Sequence, residues 1–167
     1  MSKREIPLRE AEATALKIVK CLEPLCSRVA VAGSLRRQKP TVHDIDIVVI
    51  PQAFNWPGII PNELIKQLGA KVVRNGPDIK QLTIDNTQVD LIRAEPQNWG
   101  IRMLRWTGST AHNIKLCTRA KQLDMKLAVS KGLLDKYDRL IEARDEKKIF
   151  EHLKMEYVEP KHREVNK

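Results

Sequence analysis

Apolar and polar residues alternate along the first 95 positions in a way that predicts a sheet with helices packed on it. Apolar residues recur every three or four positions from Leu8 to Leu22, which predicts an amphipathic helix. The apolar run from Ile45 to Ile50, ended by Pro51, is typical of a strand. Further strands are predicted at 28–32, 71–74, 81–84 and 88–92, with a second helix at 61–68.

The pattern changes after Pro96. Helical spacing appears at 98–105 and 109–123, and a hairpin is predicted from 126–130 and 133–135 around Lys131 and Gly132. A short helix follows at 145–153. The chain is therefore predicted to be of the α+β class, with one unit at 1–97 and a smaller α+β unit at 98–167.

Three aspartates lie in or beside the predicted strands. Asp44 and Asp46 are two positions apart, so in a strand they point to the same face while Ile45 points to the other. Asp90 lies within a second apolar run. If the two strands are neighbours, the carboxylates converge and need a cation to offset their repulsion. Hard oxygen ligands suit Mg²⁺ or Mn²⁺. The alternative is a set of solvated acids on an exposed sheet face.

A short segment before these aspartates has the features of a phosphate-binding turn. Gly33 permits close backbone approach, Ser34 offers a hydroxyl and an amide, and Arg37 offers a planar cationic fork. Each feature alone is common in turns and solvated surfaces. Their order, with the aspartate pair following within ten residues, indicates a site for metal-assisted nucleotidyl transfer.

Charge and cysteine content narrow the class of protein. The net charge is +9 over 167 residues, and residues 98–167 carry +6 of it. Such a surplus favours a polyanionic partner, with nucleic acid as the default. The three cysteines fit no zinc spacing and are expected to be reduced structural thiols.

No signal peptide or membrane span is visible, so we expect a cytoplasmic protein that is not secreted. Trp56 lies in a Pro-rich loop and is expected to be exposed.

The residues described above resemble the nucleotidyltransferase signature and, more closely, that of the family X DNA polymerases, the group of DNA polymerase beta. The segment from Trp106 to Ser109 resembles the family's aromatic-Thr-Gly-Ser turn, and Asn113 falls where the family has an Asn that touches the incoming nucleotide. The segment 146–163 resembles the family's closing segment. The resemblance covers about residues 5–163.

This resemblance implies a palm lobe at 1–97, with a mixed or antiparallel sheet and flanking helices, and a C-terminal lobe at 98–167 that binds nucleotide and DNA. The implied enzyme is a DNA-directed DNA polymerase that fills short gaps in DNA repair. It would transfer a nucleotide from a dNTP to a primer 3′-hydroxyl on primer-template or gapped DNA, acting as a monomer in a prokaryotic, viral or phage context. Two Mg²⁺ ions, with Mn²⁺ able to substitute, would be held by Asp44, Asp46 and Asp90, which are also the catalytic residues.

Binding residues can also be named. The nucleotide would be bound by Gly33, Ser34, Arg37, Arg105, Trp106, Gly108 and Asn113. On the predicted 109–123 helix, the candidates for contact with the DNA backbone are His112, Lys115, Arg119 and Lys121. Larger members of the family add an N-terminal lyase domain and a helix-hairpin-helix lobe, which 167 residues do not accommodate, so lyase activity is not expected.

Three positions depart from the family pattern. Arg105 replaces an aromatic residue that helps exclude ribonucleotides, Cys117 replaces an Arg that reaches the template, and Glu5 replaces a phosphate-contacting Arg. The choice between dNTP and rNTP and the fidelity of synthesis are therefore left open.

Three other functions remain as alternatives. They are a template-independent terminal transferase, a nucleotidyltransferase with a non-DNA acceptor, and a non-catalytic nucleic-acid-binding module.

Overall fold

The computed structural model describes residues 4–52 and 55–164, and the chain divides into two compact units between Ala94 and Glu95. The first unit contains a five-stranded mixed sheet and a separate two-stranded ribbon. Its strands are β1 (Ile6–Pro7), β2 (Cys26–Val31), β3 (Thr41–Val42), β4 (Asp44–Pro51), β5 (Lys71–Asn75), β6 (Ile79–Ile84) and β7 (Thr87–Arg93). Its helices are α1 (Leu8–Leu22), the single turn α2 (Gly33–Arg36) and α3 (Ile59–Leu68), with a 3₁₀ turn at Glu23–Leu25.

The five strands follow the order β2-β4-β7-β6-β5, and only the central β4–β7 pair is parallel. Alternate residues of β4, such as Ile45, Ile47 and Val49, are fully buried in a core that also contains the apolar faces of α1 and α3. The small ribbon pairs Ile6 with Val42. The mixed sheet with flanking helices confirms the predicted α+β class.

The second unit packs three helices and a three-stranded antiparallel sheet around one apolar cluster. The helices are α4 (Trp99–Thr107), α5 (Thr110–Gln122) and α6 (Glu146–His152), and the strands are β8 (Lys126–Ala128), β9 (Gly132–Leu134) and β10 (Leu140–Ile141). A 3₁₀ turn at Pro160–His162 follows. The predicted hairpin is present as β8 and β9, while β10 is an additional strand that its two-residue length conceals in the sequence. Leu116, Leu133 and Phe150 lie in the cluster.

Trp56 corrects one sequence expectation. Its side chain is buried, not exposed, and its indole N–H donates to the Pro77 carbonyl oxygen at 2.7 Å. The ammonium of buried Lys80 lies 4.6 Å from the centre of the Trp56 ring and donates to the side chain of Asn75. Burial lowers the pKa of Lys80. The loop therefore packs against the sheet with its indole ring over the buried Lys80 ammonium.

The cysteines are free thiols, in line with the sequence expectation. Cys21 and Cys26 are buried, and burial raises the pKa of Cys26 to about 11 and raises that of Cys21, to which the charge of Glu63 also contributes. Cys117 is exposed on α5. The two buried thiols therefore act as small apolar side chains.

Candidate active site

Strand β4 presents Asp44 and Asp46 on the same face of the sheet. Both are half-buried, whereas Ile45 and Ile47 between and beyond them are fully buried on the opposite face. The strand forms because its apolar residues fill the core at every second position, and this register places the two carboxylates opposite that core. The two-residue spacing of Asp44 and Asp46 therefore places both side chains on the same face of β4, as the sequence predicts.

Strand β7 places Asp90 beside Asp46. The two strands run parallel, and the register pairs Asp46 directly with Asp90 and Asp44 with Gln88. Adjacent strands lie about 4.8 Å apart, and paired residues point to the same face. The structure therefore brings the three predicted aspartates onto one face of the sheet.

Two glutamine amides contact Asp90. The Gln81 side chain on β6 donates to Asp90 Oδ1 at 3.1 Å, and the Gln88 side chain donates to both carboxylate oxygens at 3.2 Å. Neither glutamine was identified from the sequence. Gln88 could have been found because it lies two positions before Asp90 on the same strand, but Gln81 reaches Asp90 only through the register of β6 with β7. Both amides orient the carboxylate without neutralising it.

The Gly33 turn lies directly against Asp46. Gly33 has φ +64°, and a Cβ built there would lie 2.1 Å from Asp46 Oδ2, so only glycine fits this position. The Ala32 N–H also donates to the Asp46 carbonyl oxygen at 2.8 Å. Ser34 and Arg37 are half-buried in and just after this turn. The backbone therefore joins the predicted phosphate turn to the carboxylate face.

The chemistry of this face suits a hard cation, although a finished metal centre is not present. Within residues 4–52 and 55–164, no group of three His, Cys, Asp or Glu side chains is arranged to hold a metal ion. The face nevertheless carries three carboxylates on two adjacent strands, and the Asp46 carboxylate packs directly against the Gly33 backbone. Oxygen donors of this type fit Mg²⁺ or Mn²⁺.

The second unit contains the other predicted nucleotide contacts, around a turn formed by Thr107, Gly108 and Ser109, called here the 107–109 turn. Ser109 is the N-cap of α5, because its hydroxyl accepts from the His112 N–H at 3.1 Å. The Asn113 amide donates to the Arg105 carbonyl oxygen at 2.8 Å. A Cβ at Gly108 would lie 2.8 Å from Asn113 Oδ1, so a glycine is needed for the amide to lie against the turn.

Arg105 and Trp106 end α4 next to this turn. Arg105 is exposed, and its guanidinium carbon lies 6.0 Å from the centre of the Trp106 ring. Trp106 is half-buried, and its indole N–H makes no hydrogen bond to the described residues. The two side chains therefore lie side by side at the surface, with the Arg105 guanidinium accessible to solvent and the Trp106 ring partly covered.

The predicted DNA-contacting residues on α5 divide into two pairs. Lys115 and Lys121 are exposed, as a contact with phosphate requires. His112 is only 3% exposed and lies 6.0 Å from the Phe150 ring, which removes it from the surface and corrects its assignment. Arg119 is half-buried and donates through Nε to the Leu153 carbonyl oxygen at 2.9 Å, so part of its donor capacity is used inside the unit.

The environment of His112 keeps its imidazole neutral. Burial is the main cause that lowers its pKa to about 4, and the positive charges of Arg163 and Lys115 act in the same direction. Glu146 opposes the shift, and its effect is smaller. Because His112 Nε2 is buried and makes no hydrogen bond to the described residues, protonation would leave a charge inside the unit.

Comparisons with known proteins agree with the sequence resemblance in two respects. Residues 102–164 match the family model described as "DNA polymerase beta thumb". The solved structure described as "Crystal structure of Leishmania infantum polymerase beta: Ternary P/T complex" is similar with a TM-score of 0.84 and 18% sequence identity. The similarity covers 97% of this chain and 77% of that one. No curated protein sequence matches the chain at a significant level.

The fold is therefore that of the polymerase beta-like proteins. Residues 102–164 are similar to a DNA polymerase beta thumb domain, and this similarity confirms the predicted resemblance to the family X DNA polymerases. Among the described residues, no helix has the length and apolar character needed to cross a bilayer.

Proposed function

We propose that this protein is a DNA polymerase of the family X type, which transfers a nucleotide from a dNTP to a primer 3′-hydroxyl and fills short gaps during DNA repair. The observation that carries the proposal is the direct pairing of Asp46 with Asp90, with the Gly33 turn packed on Asp46. Carboxylates that can hold cations, beside a turn that can bind phosphate, are what a reaction on a phosphate ester needs.

The carboxylate face would hold two divalent cations, Mg²⁺ or Mn²⁺, through Asp44, Asp46 and Asp90. When bound, such ions lower the pKa of a coordinated hydroxyl and offset the charge of a triphosphate. The protein places the carboxylates where they can hold these ions. Gln81 and Gln88 hold the Asp90 carboxylate in place through hydrogen bonds of 3.1 and 3.2 Å.

Within this mechanism, one residue of the first unit accepts a proton and two others bind phosphate groups. Asp90 accepts the proton of the primer 3′-hydroxyl, which then attacks the α-phosphorus of the dNTP, and the bond to the pyrophosphate oxygen breaks. The Ser34 hydroxyl and the Arg37 guanidinium bind the β- and γ-phosphates and stabilise the charge that develops on the leaving group.

The second unit would select and hold the nucleotide and the DNA. Asn113 and Gly108 contact the nucleotide, while Arg105 and Trp106 lie at the sugar. Since Arg105 is exposed and polar, we expect weaker exclusion of ribonucleotides than an aromatic residue would give. Lys115 and Lys121 contact the DNA backbone, which makes binding dependent on salt concentration. The thumb domain match supports these roles.

Primer extension on three substrates tests the proposal. Gapped, open-template and single-stranded DNA are offered with dNTPs or rNTPs, in Mg²⁺ or Mn²⁺. The proposal predicts templated addition, most efficient on the gap. Addition on single strands alone would favour a terminal transferase, and transfer to another acceptor without any extension would reject the polymerase. DNA binding without any nucleotidyl transfer would favour a non-catalytic nucleic-acid-binding module.

A further inference from the structure

Arg163 is fully buried near the end of the described chain, and its guanidinium is fixed by several contacts. Nη1 donates to Glu146 Oε1 at 2.6 Å, and Nε donates to the Val158 carbonyl oxygen at 2.9 Å. Neither side chain of the ion pair is more than 8% exposed. The guanidinium also lies 5.8 Å from the centre of the Phe150 ring and 5.5 Å from that of Tyr157. These contacts leave the Arg163 backbone little freedom to move.

The backbone of Arg163 in turn contacts the 107–109 turn. The Ser109 hydroxyl donates to the Arg163 carbonyl oxygen at 2.7 Å, across 54 positions of the sequence. The same hydroxyl accepts from the His112 N–H at 3.1 Å, and it therefore connects the C-terminal segment to the first turn of α5. The Asn113 N–H follows on this helix turn and donates to the Ser109 carbonyl oxygen at 2.9 Å.

We propose that Arg163 is a positioning residue for the incoming nucleotide. It acts through the Ser109 hydroxyl, which holds the 107–109 turn and the start of α5 in the orientation that presents Asn113. This inference rests on the proposed function in one respect, namely that Asn113 contacts the nucleotide. The contact through Ser109 and the ion pair with Glu146 are independent of that assumption.

The competing explanation is that Ser109 serves only as a helix cap. Two substitutions separate the roles. Ser109→Asp keeps an acceptor for the His112 N–H but cannot donate to the Arg163 carbonyl oxygen. Ser109→Thr keeps both the acceptor and the donor. If the link to Arg163 matters, the Asp variant behaves like a variant that lacks the guanidinium, Arg163→Met, and the Thr variant behaves like the wild type.

The matched control is Asp135→Ala. Asp135 lies in the turn between β9 and β10, where its carboxylate accepts from the Tyr137 N–H at 2.8 Å and from the Arg139 N–H at 2.9 Å. It belongs to the same unit as Arg163 but lies on a different element from Glu146, Arg163 and Ser109. The variant loses these hydrogen bonds and some stability. Any effect that follows from general loosening of the unit should therefore appear in it as well.

The experiment measures KM for a dNTP and kcat in primer extension, at a temperature where circular dichroism shows each variant folded. Ser109→Asp and Arg163→Met are expected to raise KM by up to about tenfold, the value of one hydrogen bond, with a smaller change in kcat. Ser109→Thr and Asp135→Ala should retain the wild-type KM. An unchanged KM in Ser109→Asp, or an equal rise in Asp135→Ala, would overturn the proposal.

Hydrogen exchange gives a second readout that does not need activity. The His112 and Asn113 amides should exchange faster in Arg163→Met than in the wild type and at an unchanged rate in Asp135→Ala. Equal rates in all three proteins would overturn the proposal. A wild type without nucleotidyl transfer would reject the proposed function, whereas an active wild type with these negative results would reject only the positioning role. If Arg163→Met does not fold, the comparison of KM between Ser109→Asp and Ser109→Thr tests the proposal.

Discussion

The carboxylate face of the first unit and the 107–109 turn of the second depend on local sequence periodicity to different degrees. Asp44 and Asp46 share a face because they are two positions apart on β4, and Asp90 joins them through strand pairing. The 107–109 turn depends instead on Arg163, 54 positions after Ser109. Strand periodicity therefore places two of the three carboxylates, whereas Asp90 and the turn require contacts between distant parts of the chain.

The two units also bury a cation in different ways. Lys80 in the first unit is covered by the Trp56 ring and bonded to the neutral side chain of the exposed Asn75. Arg163 in the second unit is paired with a buried carboxylate, Glu146. Removing the cation therefore leaves an exposed amide in one case and a buried charge in the other, so the energetic consequences should differ widely.

The largest effect is expected at Asp90. Asp90→Asn removes the proposed proton acceptor while keeping the size of the side chain, and nucleotidyl transfer should fall by about a hundredfold or more. Single-turnover incorporation measures this, with DNA affinity determined in parallel and expected to persist. Asp85→Asn, an exposed acid in the turn between β6 and β7, is the matched control. An Asp90→Asn enzyme as fast as this control would contradict the assignment.

Arg163→Met should be the most damaging substitution for stability. It leaves Glu146 buried without its cation, which costs about 3–5 kcal/mol in the free energy of unfolding. Chemical denaturation of the variant and the wild type measures the difference. Replacing both members of the pair, with Glu146→Gln added, should recover part of the loss. A cost below 1 kcal/mol would show that the ion pair contributes little.

The pH dependence of stability should reveal His112. Its pKa in the folded state is about 4, below the usual 6.5, so between these values the unfolded chain binds one more proton than the folded protein. Stability should therefore fall as the pH drops from 6.5 to 4, by roughly 3 kcal/mol. His112→Phe keeps an aromatic ring and should lose this component. His43→Gln, at an exposed position, should retain it, and equal slopes in all three proteins would refute the prediction.

Lys80→Met should have the smallest effect. Methionine keeps most of the volume beneath Trp56, and the Asn75 amide left behind is exposed and can bond to water. We expect a change of less than about 1.5 kcal/mol in the free energy of unfolding, because the cost of burying an ammonium is also removed. A loss as large as that of Arg163→Met would show that the contrast between the two buried cations is wrong.

Sequence patterns predicted the elements that carry the carboxylates because strand periodicity is local. The apolar alternation of β4 fixes the faces of Asp44 and Asp46, and the fold class followed from the order of strands and helices. The sequence did not predict that β4 pairs with β7, because strand order and register depend on the whole sheet. It predicted only that the three carboxylates converge if these strands are neighbours.

The errors arose where burial is decided by distant residues. His112 was assigned to a DNA surface because it lies among basic residues of α5, yet Phe150 and Arg163 enclose it. Trp56 was expected to be exposed because its loop is rich in proline, yet Pro77 and Lys80 bind it. No local pattern encodes these contacts, which is also why the role of Arg163 was not visible in the sequence.

The most direct test of the central claim follows labelled nucleotide from an α-labelled dNTP to the primer 3′ end on gapped DNA, with pyrophosphate release measured in the same reaction. The account predicts that the wild type transfers the label with one pyrophosphate released per nucleotide, and that the double variant Asp44→Asn and Asp46→Asn binds the DNA without transferring the label. Equal transfer by the wild type and the double variant would contradict it.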